Sequence, residues 1–353
     1  MAGRKIIFYF YIRKTTFIEK DLKIFRKEAH VFEHHFPAPE KWKTSLLFLS
    51  QAIFLLAHLR HWSGAIAIMQ FSGYHSFIPV LWARITGNKS IIVAGGTDCV
   101  SFPSLRYGHF HKKLLAWFTR QSYRMVSVVS AVHSCLFFRQ DHYDSESEST
   151  QGILHFVPDA RFERNVIPNG YDAQAFGISE KWEDRAEKSF ITISASLDDP
   201  IRLKLKGVDL ILDLAKLRPD CTFTLVGASE EQALKIPENV RLLPFLPNRE
   251  LAALYNRHRF YLQLSISEGF PNALCEAMCC GCIPIVSAVA SMPEIVAETG
   301  FILEKRDMAM LQKLLDGILE SQILPEKSEK ARQKISENYP LKIREEGLIK
   351  LIS

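Results

Sequence analysis

Nine short, β-rich apolar runs punctuate the 353-residue chain. They are "KIIFYFYI", "AIAIMQF", "SIIVAGG", "MVSVVS", "NVIPNG", "FITISAS", "TFTLVGA", "RFYLQLS" and "IPIVSAV". Each reads as a strand buried on both faces. Helix-length stretches such as "HKKLLAWFTRQSY", "GVDLILDLAKLR", "RELAALYNRH" and "NALCEAMCC" lie between them. Regular β–α alternation predicts parallel sheets wound on both sides, because a parallel pair needs a crossover and a helix supplies it. No internal sequence repeat is visible. The alternation is interrupted between Arg139 and Lys188. There the polar acidic run "DHYDSESEST" reads as an exposed loop, followed by "VIPNGYDAQAF" and the charged "SEKWEDRAEKS". A fresh strand at Phe190–Ser194 opens the second half. The chain length suits two domains. Two doubly wound domains leave a cleft at the carboxyl ends of their strands, where such folds bind ligands.

Several function classes drop out. Neither half shows G-x-G-x-x-G after its first strand, and "GGTD" (Gly95–Asp98) lacks that spacing. No G-x-x-x-x-G-K-[ST] occurs, which argues against a P-loop ATPase. Lys and Arg number 44 against 39 Asp and Glu, a formal charge of +5. This mild excess, without a basic–aromatic stripe, argues against a nucleic-acid partner. It leaves room for a local basic patch facing phosphate or an anionic membrane surface. Seven cysteines, four of them crowded together, fit reduced thiols better than a disulfide framework. The opening "MAGRKIIFYFYIRK" lacks the core length and cleavage site of a signal peptide and reads as a buried first strand. "LLFLSQAIFLLAHL" (Leu46–Leu59) has 14 residues, short of the roughly 20 that span a bilayer. It reads as a buried or half-buried helix, with a membrane-facing helix as the alternative.

The stretch "SEGFPNALCEAMCCGC" (Ser267–Cys282) concentrates the chemistry. Gly269 permits a tight turn and close backbone approach. Pro271 suits the first turn of a helix expected over about Asn272 to Cys280, with Gly281 closing it. Free amides at that N-terminus suit an anion such as a diphosphate. Glu268 precedes the helix and Glu276 lies more than one turn inside it, so two carboxylates bracket the turn. They can accept hydrogen bonds from hydroxyls at both ends of a sugar nucleotide. The cysteines compete for attention. Cys275 and Cys279 share a helix face, Cys280 points elsewhere and Cys282 begins the next strand. That spread suits small buried thiols rather than converging zinc ligands, and no metal site is expected.

The stretch resembles the E-x7-E signature of retaining glycosyltransferases of the GT-B fold, particularly glycosyltransferase family 4. "VIPNGYDAQAF" resembles the linker motif of that family, "KGVDLILDLAKL" the helix after the first strand of the donor domain, and "FLPNRELAALYNRHRFYLQLS" the approach to the signature. The likeness covers roughly Val166 to Leu303 and is weaker from Met1 to Leu136. It implies an α/β, GT-B architecture: two doubly wound Rossmann-like domains facing each other across a cleft. The expected division is an acceptor-binding domain over 1–165, a linker over 166–188 and a nucleotide-sugar domain over 189–335. A C-terminal helix over 336–353 is expected to pack back on the first domain. By position, the resemblance implies that Glu268 contacts the donor sugar and Glu276 the ribose. The backbone of Gly269, Phe270, Pro271, Asn272 and Ala273 would cradle sugar and diphosphate. Lys206 matches the family's diphosphate-neutralising Lys. The matching Arg is replaced by Ser196, and Arg202, in the loop "DDPIRLKLKG", is the expected substitute. The base is expected near Val226–Gly227 and Phe245–Leu246.

In the first half, Asp98 ends a strong strand. It reads either as an acid meeting sugar hydroxyls or an acceptor proton, or as the cap of the following turn. Many relatives place a histidine there. His75 is the second candidate, and Thr15 or Thr16 would cap the helix after the first strand. Tyr107, His109, His111 and Lys112 read as a solvated, partly basic helix start. The resemblance implies transfer of a sugar, with retention, from a nucleoside diphosphate sugar to a saccharide or lipid-linked acceptor. It implies no cofactor and no essential metal. The setting implied is cytoplasmic, at the inner face of the cytoplasmic membrane, in bacterial surface polysaccharide or glycolipid synthesis. A sugar-nucleotide epimerase or hydrolase, and a non-catalytic sugar-nucleotide-binding protein that supports a partner transferase, remain the competing readings.

Overall fold

Strand β1 (Lys5–Tyr11) sets the pattern for the first half: five successive residues from Ile7 to Tyr11 are buried. A strand with both faces covered must lie inside a sheet with helices above and below. The computed structural model describes residues 4–37, 43–194, 197, 199–228 and 236–353. It divides into two compact units. Unit 1 holds residues up to Arg139, Thr150–Pro168 and Lys342–Ser353; unit 2 holds Gln140–Ser149 and Asn169–Leu341.

In unit 1 the elements run β1, α1 (Thr16–Glu28), β2 (Ala29–His35), α2 (Thr44–Ala57), β3 (Ile66–Gln70), α3 (Tyr74–Thr86), β4 (Lys89–Ala94), α4 (Lys113–Met125) and β5 (Val128–Ala131). Two short strands, β6 (Arg139–Asp141) and β7 (Ser149–Gln151), lie at the ends of the Gln140–Ser149 segment of unit 2, and a one-turn helix α5 (Ile153–Phe156) and strand β8 (Glu163–Val166) of unit 1 follow. The main sheet has six parallel strands in the order β2-β1-β3-β4-β5-β8. Right-handed crossovers place α1 on one face and α2, α3 and α4 on the other. On the α1 face, Ile7, Tyr9 and Tyr11 join Ile18, Leu22 and Phe25 in one core. On the opposite face Phe8 packs against Phe54 and Trp62. The expectation that "NVIPNG" is buried on both faces fails at this sheet's edge, where β8 is mostly exposed.

Helix α13 (Leu341–Ile352) completes unit 1. Its Leu348, Leu351 and Ile352 enter the α1-side core. Buried Arg344 makes two hydrogen bonds to buried Asp21, at 2.7 and 2.6 Å. Lys5 and Lys89 donate to the last carbonyls, Ile352 O and Leu351 O, where cations oppose the negative end of the helix dipole.

Unit 2 repeats the scheme with β9 (Ala186–Ile193), α6 (Pro200–Lys206), α7 (Val208–Leu217), β10 (Thr222–Ala228), β11 (Val240–Pro244), α8 (Asn248–Asn256), β12 (His258–Gln263), α9 (Asn272–Cys279), β13 (Ile283–Ser287), α10 (Met292–Val296), β14 (Phe301–Leu303), α11 (Met308–Leu319) and α12 (Leu324–Asn338). Its six parallel strands lie in the order β11-β10-β9-β12-β13-β14. Stacked Phe190, Phe223 and Phe260 mark its centre.

The acidic run after Arg139 is not a free loop. Tyr143 is buried, its carbonyl accepts from Arg306 N at 2.8 Å, and Lys305 donates to His142 O. Gln140–Ser149 therefore belongs to unit 2, whereas the expected division at 165/166 leaves it in the first domain.

Candidate active site

Strand β12 carries the polar side chains of Tyr261 and Gln263, besides His258, into the interior of unit 2. A buried polar group is costly unless it is paired, and the first two are chained together. Tyr261 OH donates to Gln263 Oε1 at 2.7 Å, and Gln263 Nε2 donates to Ser265 Oγ at 2.8 Å and to Glu268 Oε1 at 2.9 Å. Lys206 Nζ reaches the same Glu268 oxygen at 2.7 Å. Glu268 is thus held from below by the strand and from the side by a cation.

Lys206 is held there by a glycine. Gly207 has φ of 68°, and a Cβ on it would sit 2.0 Å from Leu264 O. Only glycine combines that left-handed backbone with so close an approach. The α6–α7 joint therefore lies against the end of β12, tied further by Ile266 N donating to Leu205 O at 2.8 Å. Lys206 closes helix α6 as well as preceding α7, and Arg202 lies on α6 rather than in a loop, exposed and one turn before Lys206. Ser196, where the family's Arg is expected, lies outside the described residues.

The turn after Glu268 is anchored at Gly269, Phe270 and Asn272. Ser291 Oγ donates to Gly269 O at 2.7 Å. Phe270 is buried, stacked on Tyr171 and edge-on to Tyr339. Pro271, with φ of −74°, is the residue immediately before α9 rather than within its first turn. Asn272 Oδ1 accepts from Tyr171 OH at 2.8 Å and Asn169 Nδ2 at 3.0 Å. The "NGY" of the linker motif thus braces the start of α9. Amides at Asn272 and Ala273 have no carbonyl one turn earlier to bind, and the helix dipole adds positive potential there. Glu276 is half-buried in the second turn. Burial first, then the charges of Glu268 and Glu276, push the Tyr261 hydroxyl well above its ordinary range. Both carboxylates therefore lie within electrostatic reach of one buried phenol.

Cys275, Cys279, Cys280 and Cys282 are all fully buried. Desolvation pushes the Cys279 and Cys282 thiols up to about 12, and Cys282 Sγ donates to Tyr255 O at 3.2 Å. They pack α9 against the sheet as neutral thiols. Among the described residues no group of three or more His, Cys, Asp or Glu side chains is placed to hold a metal ion. At the other strand ends of unit 2, Gly227 takes φ of 112° beside a register shift in β10, and Phe245 is exposed just after β11.

The candidates of unit 1 behave differently. Asp98 is fully buried, and its two oxygens accept from five donors: Ser72 N, Gly95 N, Gly96 N, Cys99 Sγ and Tyr123 OH. It clamps the loops after β3 and β4 to α4, which is a framework task and corrects its reading as an acid open to an acceptor. His75 is also fully buried, with Nε2 against Gln70 O at 2.7 Å; burial, the largest influence, lowers its pKa to about 4. It is therefore a neutral core imidazole rather than a loop group facing a ligand. Burial likewise lowers His109, so the expected solvated helix start is partly interior. Thr16 is exposed, and Thr15, the residue before α1, makes no side-chain cap hydrogen bond. Sequence reasoning missed Gln263, Tyr261, Asn169 and Tyr171. The available signal was Gln263, a lone amide in the apolar run "FYLQLS".

Residues 199–338 match the sequence family described as "Glycosyl transferases group 1". A segment of 69 residues is 35% identical to O-antigen chain mannosyltransferase B of Escherichia coli, covering 20% of this chain and 18% of that protein. A segment of 151 residues is 27% identical to one component of human phosphatidylinositol N-acetylglucosaminyltransferase, covering 39% and 30%. The aligned segments span less than half the length of these curated relatives. Solved structures match nearly end to end. Sucrose-phosphate synthase from Thermosynechococcus elongatus superposes with a TM-score of 0.73 at 13% identity, over 99% of this chain and 98% of that one. Anabaena HepE in complex with UDP gives 0.71 at 18% identity, over 98% and 99%. At such identities the likeness is one of fold: α/β, of the GT-B type, with two parallel six-stranded sheets.

Proposed function

We propose, from the group 1 match over 199–338 and the site built around Glu268, that this chain is a glycosyltransferase. It moves a sugar from a nucleoside diphosphate sugar to a hydroxyl of a saccharide or lipid-linked acceptor. The observation that carries the reading is the ion pair of Lys206 and Glu268 at the foot of a helix whose free amides open beside it. The HepE complex with UDP-glucose supports a nucleotide-sugar donor.

The chemistry proposed follows from charge. The bond between the anomeric carbon and the diphosphate breaks, and its electron pair leaves on the phosphate oxygen. Lys206, Arg202 and the α9 amides offset that growing charge. The acceptor hydroxyl bonds to the anomeric carbon from the same face, so configuration is retained. Its proton passes to the departing phosphate oxygen, so no metal and no cofactor enter the balance. Glu268 orients the sugar and Glu276 the ribose, while Gly269, Phe270 and Pro271 shape the turn between them. Unit 1 is the proposed acceptor-binding domain. The mannosyl- and N-acetylglucosaminyltransferase relatives support sugar transfer. Bacterial surface polysaccharide or glycolipid synthesis at the inner face of the cytoplasmic membrane is the setting proposed.

A thermal-shift screen of the full chain against common nucleotide sugars tests the donor site. A ligand at a hundredfold excess over its Kd stabilises the folded chain by about 2.7 kcal/mol. One nucleotide sugar should therefore raise Tm clearly in the parent and not in a Lys206→Met, Glu268→Ala double variant. No shift with any nucleotide sugar, or the same shift in the variant, would sink the assignment.

A further inference from the structure

Helix α2 of unit 1 buries little of its apolar run. Of its 14 residues only Gln51 and Leu55 are buried. Leu46, Leu49, Ile53 and Leu56 are each 56–57% exposed. Their spacing of three, four and three residues puts them on one helix face. Leu59, in the turn that follows, is 54% exposed and extends the row.

A second side of α2 packs on the layer. Phe48 of α2 meets Phe118 of α4 with ring centroids 5.2 Å apart, and Phe77 of α3 meets Trp117 of α4 at 5.6 Å. Trp117 and Leu114 are themselves exposed. Exposed apolar side chains gathered on one helical layer mark an interaction site.

Charge indicates the occupant. From Lys43 to Met125 the sequence holds nine Lys and Arg and one acidic residue, Asp98. Asp98 is fully buried and hydrogen-bonded inside unit 1. No residue from Lys43 to Met125 therefore presents a carboxylate at the surface, and the exposed Asp159 that lies against the end of α4 is paired with Arg124 there at 2.8 Å. Arg60, Arg84, Lys112 and Lys113 are exposed at the ends of its helices. The rest of the chain is net acidic, because the whole carries only +5.

We propose that this layer docks on an anionic lipid bilayer, with α2 lying in the plane of the interface. An aliphatic row with cations at its ends buries the one in acyl chains and sets the other among anionic headgroups. A second copy of the chain is the poorer partner, since two such faces would bring like charges together. Helix α2 lies on the membrane rather than crossing it: 14 residues extend ~21 Å, against a hydrocarbon core of ~30 Å. Among the described residues no helix is long and apolar enough to span. This surface is independent of the donor site, so the inference stands whether or not sugar transfer is shown.

The test is flotation of the full chain with vesicles of phosphatidylcholine, with and without phosphatidylglycerol. The chain should float with the anionic vesicles and much less with neutral ones. Leu49→Ser, Ile53→Ser and Leu56→Ser together should lower the partition at least about tenfold, with melting unchanged because all three are exposed. Arg60→Glu with Lys113→Glu should lower binding to anionic vesicles by about fivefold per site and leave neutral vesicles unaffected. Absence of flotation, equal flotation with both lipids, or undiminished flotation of the serine variant would overturn the proposal. So would a dimer, seen by sedimentation, that the serine variant dissolves while vesicles stay unbound.

Discussion

Two carboxylates that look alike in the sequence have opposite fates. Asp98 and Glu268 each follow a strong strand and sit near a glycine. Asp98 ends up fully buried with five donors on its two oxygens. Glu268 keeps part of its side chain at the surface, and Lys206 and Gln263 both converge on its Oε1. A carboxylate whose acceptor capacity is filled inside the core is architecture. One gripped through a single oxygen at an open edge can offer its other oxygen to a ligand. What a strand-end acid does is decided by how many donors the neighbouring loops bring to it.

That contrast can be broken by experiment. Asp98→Ala leaves two loop amides, a backbone amide at Ser72 and the Tyr123 hydroxyl without an acceptor, and should cost about 3–5 kcal/mol of stability. Urea unfolding measures it. An Asp98→Asn chain as stable as the parent but unable to transfer sugar would break the comparison by making Asp98 a reacting group.

His75 gives the next effect, in the same region. Burial holds its folded pKa at about 4, below the ordinary 6.5, with His109, Asp98 and His34 as the titratable groups around it. The unfolded chain therefore takes up the proton first. The stability this imidazole contributes is complete above pH 6.5 and falls as pH drops through 6.5 towards 4. The total is about 3 kcal/mol. His75→Gln should flatten that part of the pH dependence, and an unchanged slope would show that the imidazole does not titrate as buried.

The smallest of the three lies in unit 2. Glu268→Ala should lower transfer about a hundredfold, which is ~2.7 kcal/mol, and leave melting close to the parent. A loss of stability like that of Asp98→Ala would place both acids in the same class.

The alternation of strands and helices was legible because short, continuous apolar runs rich in β-branched and aromatic residues, and the longer helical stretches between them, are written locally. So was the turn at Gly269–Asn272, whose glycine and proline act through their own backbone. What stayed hidden depends on partners far along the chain. Tyr123 reaches Asp98 across 25 residues, and Asn169 reaches Asn272 across 103. Neither link leaves a local mark. Helix α2 stayed ambiguous for a related reason: an all-apolar run reads as buried or half-buried, and only the folded layer shows that Leu55 goes inside while Leu46, Leu49, Ile53 and Leu56 stay exposed. The acidic run at 141–150 misled, since Tyr143 and an anchoring carbonyl outweigh its polar composition.

Helix α13 carries a consequence for how the chain is made. Its Arg344 closes on Asp21 from 323 residues away, inside unit 1. Synthesis runs from the amino end, and domains fold as units as they emerge. Unit 2 closes its own sequence at Leu341, while unit 1 still waits for Lys342–Ser353. The first half to leave the ribosome is thus the last to finish. Until then Asp21 has no guanidinium from Arg344 beside it, and the core around Tyr9 and Phe25 lacks its final wall. A nascent chain halted before Lys342 should hold a finished second unit and an open first one, with the greatest need of a chaperone falling after most of the polypeptide has already emerged.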